Sequence, residues 1–231
     1  MRPATPVHDD SGAAAAPTGK RTGTDELNAQ AIHSAQEAIG LLRQKMEVIA
    51  TEFAEGRINR SQFNAVYGRY SEQRAIIERI VERNPDSKAW KQVIGTSGHT
   101  NFLRQHFEAQ PLYFILYRHR LPEPLMVGGK TSPDMAQIAP ILKGLWTMPN
   151  RPKTGLARKL IAEHQWLVLA MGEHALTIVV FLLEPSVAQA AMIRDMHADF
   201  ERANQAALVR QVMHVERMVF PQRALIDSEL S

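Results

Sequence analysis

Nine histidines, 24 carboxylates and no cysteine set the chemical repertoire of this 231-residue chain. Without a thiol it has no disulfide, no thiolate metal site and no cysteine nucleophile. The histidines lack metal-ligand spacing. Glu163-His164 and Glu173-His174 are adjacent pairs whose side chains diverge, unlike the i, i+4 pairs that chelate from one helix face. His106 and His119 have no serine or carboxylate partner close in sequence, and His197 falls on an apolar helical stripe, the ordinary place for a core histidine. Asp195, Asp199 and Glu201 resemble paired acids. Beside Arg194 and Arg202, however, their spacing reads as an exposed charged helix face. Gly129-Lys130-Thr131 looks like the end of a phosphate-binding loop, but that motif needs a glycine where Pro124 stands. No metal, cofactor or catalytic set is expected, and the chain reads as a non-enzyme.

The elements carry more information. Ile32, Ala35, Ile39, Leu42, Met46, Ile49 and Phe53 repeat at alternating spacings of three and four, a heptad seam that keeps one helical stripe against a partner. The spacing predicts a helix from Thr24, which can cap it, to Glu55, stopping at Gly56. Asn59 and Gln62 form a capping box for a second helix, with Ile58 placed to staple onto Phe63. Phe63, Val66, Tyr67, Tyr70, Ile77, Ile80 and Val81 give its stripe, and Asn84-Pro85 ends it. Gln73 and Arg74 interrupt that stripe where the first helix continues with Ile39 and Leu42. An antiparallel hairpin is expected over 24–87, with part of the seam left for a second copy in a dimeric four-helix arrangement. Ile32, Ile39, Leu42, Met46, Ile49 and Phe53 are the candidate interface. Residues 1–23, rich in Ala, Pro, Gly and Thr, read as a disordered tail.

From about residue 97 the texture changes. A short helix over 100–109 precedes strands at 112–117 and 125–127. Ser132-Pro133-Asp134 opens a helix whose buried face is Met135, Ile138, Ile141, Leu142 and Leu145. A basic loop follows, then strands near 158–162, 166–171 and 176–183. The last is apolar on both faces apart from Thr177, as a central strand is. Ser186 and Gln189 form a second capping box before a long amphipathic helix. Trp90 and Trp146 are expected at junctions between helix and sheet. The α/β domain spans 97–210, and no element is assigned to the extension, 211–231.

Net charge is +3, divided as +1 over residues 1–23, −2 over 24–87 and +4 over 88–231. Lys143, Arg151, Lys153, Arg158 and Lys159 supply much of the excess, with no carboxylate between Trp146 and Ile161. This basic loop is the candidate contact for an acidic partner. It lacks interleaved aromatics, which argues against nucleic acid. No run of about 18 apolar residues is present, and Ala13–Ala16 is too short for a signal-peptide core, so a cytoplasmic protein is expected.

The succession helix, two strands, helix, three strands, helix, carried by 112–117, 125–130, 132–145 and 166–203, resembles the roadblock/dynein light-chain family and its longin and profilin-like relatives. That resemblance implies an α+β fold, a five-stranded antiparallel sheet covered by helices, here preceded by the helical hairpin. It also implies a non-catalytic module that dimerises and binds small GTPases. The alternative is a PAS-like sensor, in which sheet and helices enclose a ligand and an adjoining coiled coil transmits the signal.

Overall fold

A computed structural model describes residues 32–95, 99–119, 121–150, 152–210 and 214–227. The fold is α+β: N-terminal helices, then a five-stranded antiparallel sheet with helices on both faces. Helix α1 (Ala35–Ala54) and helix α2 (Arg60–Arg83) form the expected antiparallel hairpin. Helix α1 starts at Ser34, whose hydroxyl accepts from the Glu37 amide at 3.2 Å while Glu37 accepts the His33 amide at 2.7 Å. Residues 32–34 are not helical, so a continuous helix from Thr24 is corrected; Thr24 itself lies outside the described residues, as does the 1–23 tail.

Ile39, Leu42, Met46 and Ile49 are buried within the chain, together with Val66, Tyr70 and Ile77 of α2. Ile32 precedes the helix and packs half-buried against this cluster, while Phe53 stays 38% exposed and stacks on Phe63 at 4.7 Å. The break in the α2 stripe has a partner in the same chain. The Gln73 amide donates to the Val93 carbonyl at 2.9 Å, tying down α3 (Trp90–Ile94), whose Trp90 completes the cluster. The seam is therefore covered from within, by α2 and α3.

Helix α4 (His99–His106) packs on α2 and leads into the sheet. Strands β1 (Gln110–Arg118), β2 (Pro124–Gly129), β3 (Gly155–Ala162), β4 (Gln165–Met171) and β5 (Ala175–Leu182) lie in the order β2-β1-β5-β4-β3. Helix α5 (Met135–Thr147) covers one face through Ile138 and Leu142, against Ile115, Tyr117, Leu169 and Ile178. Helix α6 (Val187–Val209) covers the other, placing Ile193 and Phe200 over Phe114, Val168, Val179 and Phe181. Central β5 is buried from Ala175 to Phe181 on both faces, as its composition predicts.

The C-terminal extension has a place. Two 3-10 turns (Val215–Arg217 and Pro221–Arg223) and α7 (Ala224–Asp227) lay Met218, Phe220 and Leu225 on the α6 face. Asn204 pins this strap by donating to the Val219 carbonyl at 2.7 Å and accepting the Val219 amide at 2.8 Å.

Hairpin and sheet are joined by the residues that cap the helices. Asn59 donates to the Phe107 carbonyl at 2.8 Å, Gln62 to Arg104 at 2.7 Å and Gln189 to Ala109 at 3.0 Å. Gly56, at φ 72°, lends its carbonyl to the Ala188 amide at 3.0 Å; a Cβ there would sit 2.5 Å from Val187.

Candidate functional site

The sheet ends at β3, which among the described residues pairs only with β4. Its outer backbone groups are a template for another strand. Strand β3 is exposed from Gly155 to Lys159 and at Leu160, and it holds no proline that would block pairing. Register assigns its faces. Leu156, Arg158 and Leu160 oppose Ala170, Val168 and Trp166, on the α6 side; Ala157 and Lys159 oppose Leu169 and Leu167, on the α5 side. Leu156 and Leu160 remain 39% and 53% exposed, apolar surface that the described residues do not cover. Leading into this edge, α5 turns Ala136, Ala139, Pro140, Gly144 and Thr147 outward, with Lys143 as the one charge of the helix.

The basic residues are not one loop. Lys143 sits on α5, Lys153 in the connection, and Arg158 and Lys159 within β3, which starts three residues earlier than their charge suggests. Arg151 lies outside the described residues. The Arg158 guanidinium donates to the Pro185 carbonyl at 3.0 Å, folding back over its own subunit. Among the described residues Lys143, Lys153 and Lys159 make no ion pair, whereas several cations of the hairpin do, such as Arg57 with Glu55 at 2.6 Å.

Polar groups also gather between β5 and α6. The Thr177 hydroxyl meets His197 Nδ1 at 2.8 Å and receives the Gln222 amide of the strap at 3.4 Å. His197 Nε2 faces Glu201 at 3.8 Å. Glu201 is not part of an exposed acidic face: its carboxylate turns inward to accept the amides of Glu173, His174 and Ala175 at 3.0, 2.8 and 2.8 Å. Asp195 and Asp199 do stay on the surface, paired with Arg194 and Arg202. Thr177 is 0% and His197 3% exposed, so this hydroxyl–imidazole–carboxylate series braces the β4–β5 turn and the strap out of reach of a substrate.

Burial pushes His197 below the usual imidazole range, and His119 acts in the same direction, while Glu201 opposes them. The folded chain thus binds this proton more weakly than the unfolded chain does. The stability His197 contributes is present above about pH 6.5 and is lost as pH falls through its lower folded value. The urea midpoint should fall on acidification from about pH 7 to 5, and His197→Gln should flatten that slope. An unchanged slope in the variant would count against the assignment.

Gly129-Lys130-Thr131 is no phosphate cradle. The Lys130 and Thr131 amides are both spent on the Leu112 carbonyl, at 2.9 and 3.4 Å. Several clefts indent the surface of the described residues. One of about 400 Å³ lies between α1 and α4, beside Lys45, Val48 and Arg104. Another of about 500 Å³ lies between β1, α6 and α7, lined by Pro111, Met192, Met196 and Leu225. Comparison with family models, with curated proteins and with solved structures finds no match.

Proposed function

We propose that this chain is a non-enzymatic protein-interaction module that pairs with a second copy of itself along the β3 edge. The observation that carries the reading is the outer edge of β3, which no other described strand pairs, flanked by exposed Leu156 and Leu160. Two copies continuing one sheet are related by a two-fold axis perpendicular to it, so facing residues must come from the same side. Strand β3 then has two nearly centred registers. One sets Leu156 against Leu160 of the second copy, twice over, and Arg158 against its own mate. The other sets Lys159 against Lys159 and spends Leu160 on Arg158. Apolar cross-strand pairs are favourable and like charges directly opposite are not. Arg158, drawn off by Pro185, tolerates its mate, which favours the first register.

The same axis places both α5 helices on one side of the joined sheet, where their small outward residues permit close approach. Dimerisation also accords with the roadblock resemblance. A small-GTPase partner rests on that resemblance alone. A PAS-like sensor needs a chamber between sheet and helices; the sheet is packed by Phe114 and Phe200 on one face and by Ile115, Leu142 and Ile178 on the other, and the cleft beside Phe181, between β1, α6 and α7, is where that reading would seat a ligand.

Mass in solution tests the reading. At tens of micromolar the chain should weigh twice 25.9 kDa, and Leu160→Asp, on an exposed site, should return it to one folded copy whose thermal stability matches that of the wild type diluted to the monomer. A wild-type monomer at every concentration would overturn the proposal.

A further inference from the structure

We infer that the paired β3 strands form a docking site for one acidic segment of a partner protein, built from lysines of both copies, and that filling it strengthens the pairing. The inference rests on the self-pairing proposed above. In the favoured register Lys159 stands opposite Ala157 of the second copy, so the two Lys159 residues lie about 8 Å apart on the α5 side of the joined sheet. That separation is comparable to the screening length at physiological salt, so neither charge is hidden from the other. Lys143 rides on α5, on the same side, and Lys153 precedes the strand. None of the three finds a carboxylate in its own chain among the described residues. Glu163, the next carboxylate along the chain, lies beyond the strand in the β3–β4 turn, 3.6 Å from His164.

One copy alone offers separate, solvated lysines. The axis doubles them and adds the Arg158 pair on the opposite side. The interface that its leucines favour is thus opposed by its own charge. A segment bearing several carboxylates removes the share of that opposition due to the lysines, and by linkage whatever binds the dimer more tightly than the monomer promotes the dimer. A segment crossing the axis uses both Lys159 side chains at once, which gives one segment per two chains rather than one per chain.

The test measures dimer dissociation by sedimentation, with and without a synthetic oligoglutamate peptide. At low salt the peptide should lower the dissociation constant about tenfold, with one peptide bound per two chains. Raised salt should tighten pairing by itself and abolish peptide binding. Lys159→Gln should pair more tightly than wild type without peptide and respond to it little. A peptide that binds each chain singly with no change in mass, or fails to bind at low salt, overturns the inference. A chain that stays monomeric throughout removes the pairing proposal as well, whereas a dimer indifferent to the peptide removes this inference alone.

Discussion

Leu42→Asp and Ile49→Asp are each expected to lower the unfolding free energy by roughly 3–5 kcal/mol, enough to unfold the hairpin in a marginal domain. Leu42 is 4% and Ile49 2% exposed, on the stripe that α2 and α3 cover. A carboxylate placed there leaves water for a mainly apolar cluster, so it either stays charged at high cost or takes up a proton. The deficit in urea unfolding should accordingly shrink toward acid pH, as a buried carboxyl with a raised pKa requires. Phe53→Ala offers the contrast. At the exposed end of the seam it loses one stacked ring partner, Phe63, and should cost far less. Equal losses at all three positions would show that the seam is not graded from a dry middle to a wet end.

Glu201→Ala should cost roughly 3 kcal/mol, the second largest effect expected, because three amides lose a charged acceptor together. Those amides belong to consecutive residues of the β4–β5 turn, and a Cβ on Gly172 would clash with the carboxylate that holds them. Glu201→Gln keeps one acceptor oxygen and should lie between wild type and the alanine variant. Hydrogen exchange at Glu173, His174 and Ala175 locates the loss: it should rise at the turn before the rest of the sheet opens. Exchange rising evenly over the sheet would assign Glu201 a general packing role instead.

The hairpin was legible because its signals are local. Asn59 with Gln62 and Ser186 with Gln189 are capping boxes in the sequence, and both occur as such. Their second task was not legible, since the Arg104 and Ala109 carbonyls that Gln62 and Gln189 reach come from distant parts of the chain. Ser34 and Glu37 carry the same spacing, yet an unbroken heptad points past them to Thr24. Periodicity outranks the cap on paper, and hydrogen bonding decides otherwise in the fold.

The first three residues of β3, Gly155-Leu156-Ala157, look like the end of a basic loop. Their pairing with Met171, Ala170 and Leu169 depends on the order of strands in the sheet, which no window of sequence contains. The basic residues of the candidate site were identifiable by composition, but not their division between α5, the connection and β3. Glu201 had a usable signal in its spacing of four from buried His197, at the border of the same stripe. The strap had none: Met218, Phe220 and Leu225 follow no period because short 3-10 turns, not one helix, bring them to the sheet.

Covalent trapping reports on the central claim most directly, and the absence of cysteine makes single introduced thiols clean probes. In the favoured register position 158 faces its own mate with Cβ atoms about 5 Å apart, close to disulfide reach. Under mild oxidation Arg158→Cys should run as a covalent dimer, while Lys159→Cys, offset from its mate, should remain a single chain. Neither thiol linking, in a protein whose mass stays at 25.9 kDa, would contradict pairing through β3.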